Sequence, residues 1–140
     1  MAAGKSRLGE TLAVRAGMEF ADIDRIFEQT YRISIPDFFK KYDEKAFRII
    51  ERKLLLDTEH LADTVIATGG GTPCFFDNMA FIRTSGFSVY ISWSVSELAG
   101  RLGKTARNRP VLDNLAPDRL EEKIRQHLAS REPYYQQADL

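Results

Sequence analysis

Three short apolar segments constrain the fold of this 140-residue chain more than any other feature. Residues 18–22 (MEFAD), 64–68 (TVIAT) and 88–92 (SVYIS) are rich in apolar or β-branched side chains, a pattern that predicts β-strands. Between them, apolar residues return every three or four positions, which is typical of amphipathic helices. Strands that alternate with helices indicate an α/β fold, with a parallel sheet covered on both faces.

The predicted helices have recognisable start and stop signals. The first carries Leu8, Leu12 and Ala16 on one stripe and ends at Gly17, and Ser34 caps a short helix with Pro36 in its first turn. Further helices are predicted at 23–31, at 43–58 (with Phe47, Ile50, Leu54 and Leu55 on one stripe), from about Ser94 with Glu97 and Arg101 paired, and through Leu120, Ile124 and Leu128.

The parallel sheet also predicts where a site lies. Ligands of such sheets bind beyond the carboxyl ends of the strands. We therefore expect the loops at 1–6, 22–24 and 69–71 to meet there.

Composition excludes several classes of function. Lys and Arg together number 20, as do Asp and Glu, so the chain has no overall basic field for nucleic acid or a membrane surface. The single cysteine excludes an internal disulfide and fits a reducing compartment. No apolar run is long enough to span a bilayer. We expect one cytoplasmic domain over residues 1–140, a monomer, whose anion site is local.

The N-terminal residues MAAGKS fit the end of a phosphate-binding pattern, G-x-x-x-x-G-K-[ST]. Gly4, Lys5 and Ser6 fill its last three places, directly before the first predicted helix. Lys5 would then reach the β- and γ-phosphates and Ser6 would bind Mg²⁺. The alternative is a solvated N-terminus, because so short a string is common. The opening glycine of the pattern and the strand before it would lie upstream of Met1.

Two acidic residues follow the first predicted strand. If the strand continues through them, its alternation aims Asp22 and Asp24 to the same side, where paired carboxylates suit Mg²⁺ and proton acceptance. The alternative is that Asp24 only caps the next helix.

The run Gly69–Gly71 follows a β-branched strand. Three glycines permit positive φ and close backbone approach by a ligand, whereas an ordinary wide turn rarely needs three.

Arginines supply candidate cations. Arg48 lies among apolar residues with Glu51 at i+3, and suits either a substrate carboxylate or a structural ion pair. Arg107 and Arg109 lie in a polar loop and either close over phosphates or form a solvated face. Arg131 ends the last long helix, where a cation also suits the helix dipole.

Taken in order, these segments resemble shikimate kinase, a small P-loop kinase family. The matching motifs are AGKS at 3–6, FADID at 20–24, A-F-R-x-x-E at 46–51, TGGG at 68–71, R-P at 109–110 and REPYY at 131–135. The resemblance covers nearly the whole chain. It implies a three-layer P-loop kinase fold with sheet order 2-3-1-4-5, and ATP-dependent phosphorylation of the 3-hydroxyl of shikimate.

The same resemblance assigns roles to residues of this chain. It implies a nucleotide site at Ala2, Ala3, Gly4, Lys5, Ser6, Arg101 and Arg109, with Mg²⁺ at Ser6 and Asp22 and with Lys5, Asp24 and Arg109 as catalytic groups. Arg109 would belong to a lid at about 104–117. It implies shikimate binding by Asp24, Arg48, Gly69, Gly70, Gly71, Arg131, Phe39 and Phe47.

The chain departs from the family pattern at both ends. Strand 1 and most of strand 5, with the helix after it, are expected to be absent, as in a fragment or a chain started at an internal methionine. Two further functions therefore stay open. One is a non-catalytic remnant that binds ligand weakly, and the other is a related kinase that acts on another polyol acid.

Overall fold

The computed structural model describes residues 3–106 and 117–140. Ala2, Arg107, Arg109 and most of the predicted lid at 104–117 lie outside the described residues. The chain divides into two compact units. We call Gly4–Ser88 the larger unit, and Val89–Leu140 together with the N-terminal three residues the smaller unit.

Helices and strands alternate in the larger unit, as the sequence predicts. Its elements are α1 (Lys5–Ala16), β1 (Glu19–Asp22), α2 (Ile23–Tyr31), α3 (Ile35–Lys41), α4 (Glu44–Asp57), β2 (Thr64–Ala67) and α5 (Asn78–Ser85). Single turns of 3₁₀-helix occur at Thr58–His60 and Thr72–Cys74. The side chains of Ser34 and Asp43 cap α3 and α4 through the backbone N–H groups of Asp37 and Ala46.

The two strands form a parallel sheet. Glu19 lies opposite Thr64, and the register continues to Asp22 opposite Ala67. In the family's numbering these are strands 2 and 3, which the expected order 2-3-1-4-5 places side by side, and their pairing confirms this part of the order. Because the strands are parallel, their carboxyl ends lie at the same edge, so the residues after Asp22 and Ala67 are brought close together.

An aromatic and aliphatic core holds α2, α3 and α4 together. Its buried members are Ile23, Phe27, Phe38, Phe47, Leu54 and Leu55. The Phe27 ring lies 5.1 Å from that of Phe47 and 5.2 Å from that of Phe38, in edge-on arrangements. Each such buried side chain stabilises the fold by about 1.5–3 kcal/mol. The core therefore fixes the start of α2 and the middle of α4, where the site residues lie.

Helix α1 has the predicted length but buries a different face. Leu8 and Leu12 are 51% and 49% exposed, whereas Ala13 is 2% exposed. A Cβ on Gly9 would lie 2.6 Å from the Phe20 ring, so this face is close to the sheet. Small residues, rather than the leucines, let α1 pack tightly against β1. The helix that Leu8, Leu12 and Ala16 predicted is confirmed, but these three residues lie on its exposed side.

Residues 88–92 form neither a helix nor a strand, so the strand predicted there is wrong. The alternation of side chains in this segment is suited to a strand. A strand also needs a neighbouring strand to which its backbone can form hydrogen bonds, and the side-chain pattern does not show whether one is present. In this segment the N–H of Tyr90 donates to the carbonyl of Leu140 at 2.6 Å.

The smaller unit is helical, with α6 (Val95–Ala106), α7 (Pro117–Ala129) and α8 (Glu132–Tyr135). A capping box opens α6, because Glu97 accepts from the Ser94 backbone N–H and hydroxyl while the hydroxyl accepts from the Glu97 N–H. Among the residues of this unit whose side chains are described, Leu98 and Ile124 are the buried apolar ones. None of the helices in the described part of the chain is long and apolar enough to cross a membrane.

Candidate active site

The first part of the site is the N-terminus of α1. Gly4 caps this helix at φ 79°, a left-handed conformation that favours glycine, and its carbonyl accepts from the Leu8 N–H at 2.9 Å. Lys5 and Ser6 are the first two helical residues. The first N–H groups of a helix lack intrahelical acceptors and lie at the positive end of its dipole, so this turn is suited to bind phosphate.

Asp22, the last residue of β1, is hydrogen-bonded to the first turn of α1. Its Oδ2 accepts from the Ser6 hydroxyl at 2.5 Å, and its Oδ1 accepts from the backbone N–H groups of Asp24 and Arg25 at 3.0 and 3.2 Å. A hydroxyl beside a carboxylate fits Mg²⁺, which takes oxygen ligands and keeps several waters. No group of three or more His, Cys, Asp or Glu suited to a metal occurs among the described residues.

Asp24 lies in a different setting from the one that strand alternation predicts. It is the second residue of α2, because β1 ends at Asp22, and the capping that could have been its only role falls to Asp22. Burial raises the pKa of the Asp24 carboxyl, and the negative charges of Asp22 and Glu51 raise it further, while Lys5 opposes them. A carboxylate with a raised pKa is a better proton acceptor than an ordinary one.

Arg48 is buried and held from several sides. Its Nη1 donates to Glu51 Oε2 at 2.8 Å, which confirms the predicted i, i+3 pair, and its Nη2 and Nε donate to Glu44 Oε1 at 2.8 and 3.1 Å. The guanidinium carbon lies 4.2 Å from the centre of the Phe75 ring and 5.2 Å from that of Phe47.

These contacts also affect the pKa of Arg48. Burial alone would lower the pKa of the guanidinium, but the hydrogen bonds to Glu51 and Glu44 raise it. The guanidinium is therefore held in place, stays positively charged, and has the planar shape that can donate two parallel hydrogen bonds to one carboxylate.

The triple glycine approaches the chain's own charged groups. A Cβ on Gly69 would lie 2.6 Å from Glu51 Oε1 and 3.0 Å from Asp24 Oδ1, and one on Gly71 would lie 2.5 Å from Arg48 Nη2. Among the described glycines with positive φ, none belongs to this run. Of the two properties that glycine permits, this run uses the close approach of other groups and not a positive φ. Of the loops at 1–6, 22–24 and 69–71 that were expected to meet, Ser6 contacts Asp22, and Asp24 lies beside Gly69.

The other predicted site residues are placed as follows. Phe47 is a core residue, 4% exposed, while Phe39 is 41% exposed and packs its ring 4.8 Å from that of Phe47. In the smaller unit, Arg131 precedes α8, and the Arg101 guanidinium lies 3.7 Å from the centre of the Trp93 ring.

Sequence reasoning missed several residues of the site. Glu44, Phe75 and Thr72 contact Arg48 or Glu51 directly, and Asn78 donates to the Thr72 carbonyl. Glu44 lies four residues before Arg48 on α4, a spacing that could have indicated the pair. The others approach from a different segment, so no local spacing shows them.

Relatives of known identity match the chain throughout. A family model described as shikimate kinase matches residues 1–140. Shikimate kinase from Parabacteroides distasonis is 42% identical over 140 residues, which is all of this chain and 81% of the relative. Shikimate kinase from Phocaeicola vulgatus is 36% identical over 138 residues, covering 99% of this chain and 79% of that protein.

Solved structures give the same result. The crystal structure of shikimate kinase from Bacteroides thetaiotaomicron matches with a TM-score of 0.90 and 34% identity, over 99% of this chain and 78% of that one. Shikimate kinase from Acinetobacter baumannii, solved in complex with shikimate, matches with a TM-score of 0.85 and 34% identity, over 99% and 76%.

A likeness of this extent places the chain in the P-loop kinase class by its fold. Members of that class transfer phosphoryl groups from a nucleotide. Within it, the chain belongs to the shikimate kinase family, whose members are ATP-dependent phosphotransferases.

Proposed function

We propose that the chain transfers the γ-phosphoryl group of ATP to the 3-hydroxyl of shikimate, forming shikimate 3-phosphate and ADP. One observation carries the proposal. The Asp24 carboxylate and the Arg48 guanidinium lie against the same glycine loop, at Gly69 and Gly71 respectively. A proton acceptor and a carboxylate-binding cation at one loop match the two ends of a hydroxylated carboxylic acid.

The nucleotide end is formed by the start of α1. The N–H groups after Gly4 and the ammonium of Lys5 would bind the β- and γ-phosphates. Ser6 and Asp22 would hold Mg²⁺, which when bound neutralises charge on the phosphate oxygens. The hydrogen bond between these two side chains supports this assignment, because it places both oxygens beside the phosphate-binding turn.

Asp24 is the group that acts on the acceptor hydroxyl. Its carboxylate would accept a hydrogen bond from the 3-hydroxyl, orient this oxygen toward the γ-phosphorus, and take its proton as the new P–O bond forms. The raised pKa supports this role, since it brings the affinity of Asp24 for a proton closer to what the transfer requires. The positive charge of Lys5 opposes this rise without cancelling it.

Arg48 would bind the carboxylate of shikimate. Its guanidinium is already oriented by Glu51 and Glu44, so little side-chain entropy is lost on binding. The Gly69–Gly71 backbone would close the pocket, and Phe39 and Phe47 would pack on the apolar edge of the ring. The roles of Arg131 and Arg101, and those of Ala2, Ala3 and Arg109, stay predictions from the resemblance.

The test is ADP release measured with and without shikimate on wild type, D24N and a matched control, D57N, which changes an exposed aspartate on α4. We expect shikimate-dependent release from wild type and D57N. We expect kcat of D24N to fall by about 10²–10⁴-fold, the usual contribution of a general base, with unchanged circular dichroism.

Calorimetric titration with shikimate separates the alternatives. Binding without turnover in wild type would favour a non-catalytic protein that retains the ligand site. Turnover by D24N at the wild-type rate would remove Asp24 from the reaction.

A further inference from the structure

Thr72, the residue directly after the glycine run, is fully buried and has 0% of its surface exposed. Its hydroxyl donates to Glu51 Oε1 at 2.6 Å, across 21 positions of sequence. No role in the reaction has been assigned to this side chain above. Its only side-chain hydrogen bond in the described structure is to the partner of Arg48.

Glu51 needs this donor. The residue is 2% exposed, so its carboxylate oxygens are out of reach of bulk water. Oε2 is satisfied by Arg48 Nη1, and Oε1 is satisfied by the Thr72 hydroxyl. Removing one partner from a buried charged group leaves an uncompensated polar atom, which is costly. Thr72 therefore holds Glu51 in the orientation that in turn holds Arg48.

Thr72 is itself fixed by its backbone. Its N–H donates to the Gly69 carbonyl at 3.2 Å, and its own carbonyl accepts from Asn78 Nδ2 at 2.8 Å. The Asn78 side chain is 0% exposed and its Oδ1 accepts from Arg52 Nη1 at 2.8 Å. Hydrogen bonds therefore fix the turn that carries Thr72 to the glycine loop on one side and, through Asn78 and Arg52, to α4 on the other. This orients the hydroxyl toward Glu51.

We propose that Thr72 is a positioning residue for substrate recognition, which acts through Glu51 to orient Arg48 and the glycine loop toward the acceptor's carboxylate. This rests on the proposed function for the identity of the acceptor. Thr72 does not touch the substrate. Its main effect is on the affinity of the site for a carboxylate, because the phosphoryl-transfer step depends on Asp24 and the α1 turn.

The substitution T72V removes the hydroxyl and keeps the shape of the side chain. Loss of one hydrogen bond to a charged group predicts that the KM and Kd for shikimate rise about tenfold, with kcat within twofold of wild type. T72S keeps the hydroxyl, and both constants should return to within about twofold of wild type.

The matched control is T58V. Thr58 is also buried, and its hydroxyl donates to the Leu55 carbonyl at 2.6 Å, so this variant loses a buried threonine hydrogen bond of the same length, to a neutral acceptor, away from the glycine loop. It should leave the KM and Kd for shikimate unchanged. An equal rise in T58V would mean that T72V acts through general destabilisation, and the proposal would be overturned.

A second measurement needs no substrate. Nitrogen-15 spectra of arginine side chains report whether the guanidinium of Arg48 is held, and the signal is assigned by its loss in R48K. We expect separate Nη signals in wild type and T72S and averaged ones in T72V. Identical spectra in T72V and wild type would refute the positioning role. Absence of shikimate binding in wild type would contradict the proposed function instead, and the spectra would still decide the role of Thr72.

Discussion

At the scale of single residues, Asp22 and Asp24 show how two positions separate two roles. Asp22 ends β1 and accepts from Ser6 and from two backbone N–H groups, so its oxygens are well satisfied. Asp24 lies one residue into α2, where burial and the neighbouring carboxylates disfavour its charge. The change from strand to helix between them leaves Asp22 well hydrogen-bonded and places Asp24 where its charge is disfavoured.

The raised pKa of Asp24 predicts how D24N changes stability with pH. Below the ordinary carboxyl pKa of 3.8, Asp24 is protonated in both the folded and the unfolded chain, and its ionisation has no effect on stability. Above the raised pKa of the folded state, the buried charge destabilises the fold. D24N, which carries no charge at this position, should therefore melt at a higher temperature than wild type at pH 7.

Thermal unfolding followed by circular dichroism from pH 7 down to pH 4 measures this difference. The advantage of D24N should shrink steadily as the pH falls. A lower melting temperature for D24N at pH 7, or a difference that does not change with pH, would contradict the environment described for Asp24.

The sequence predicted the ion pair between Arg48 and Glu51 correctly because both residues lie on one helix. A spacing of three residues places side chains on the same face, and the structure confirms the pair. Thr72 and Phe75 were not predictable in this way. They reach Glu51 and Arg48 from the turn after β2, and only the packing of that turn against α4 makes them neighbours.

At the scale of elements, the glycine run shows what the sequence left undetermined. Three glycines indicate either unusual φ angles or a close approach, and the sequence does not decide between them. The structure shows the second, with Glu51 and Arg48 occupying the space that side chains would need. The approaching groups belong to α4, so their identity depends on tertiary packing.

This close approach predicts a cost for G71A. The new Cβ would lie within 2.5–2.8 Å of the Arg48 guanidinium, which is held in place by Glu51 and Glu44. We expect the free energy of unfolding in urea to fall by about 1–3 kcal/mol, the usual cost of overpacking.

G86A is the matched control for this substitution. A Cβ at Gly86 has no atom within 4 Å, and its φ of 179° is extended backbone. G86A should leave unfolding nearly unchanged. Equal stabilities of G71A and wild type would show that Arg48 is not held against the loop.

The sequence predicted where α1 lies better than it predicted which face of this helix is buried, or whether a predicted strand has a neighbour to pair with. Helical periodicity found α1, but Gly9 and Ala13, rather than the leucines, lie toward the sheet. Hydrophobicity alone does not reveal that a close helix–strand contact requires small residues. The segment 88–92 has the composition of a strand, yet the hydrogen-bonding partner that makes a strand is not encoded locally.

At the scale of the whole molecule, membership of the shikimate kinase family rests on all 140 residues. The geometry that supports the proposed function lies in the larger unit, where α1, β1, α2, α4 and the glycine loop converge. The assignment of residues 1–140 to a single domain stays a prediction. Assays of the proposed activity should therefore use the full chain.

The most direct test of the central claim is phosphorus-31 NMR of the full chain with ATP, Mg²⁺ and either shikimate or its methyl ester. With shikimate, we predict that a phosphate monoester and ADP appear in equal amounts. The methyl ester, which offers Arg48 no carboxylate, should react markedly more slowly at the same concentration. ADP formation that is independent of the acceptor, or no phosphate monoester with shikimate, would contradict the account.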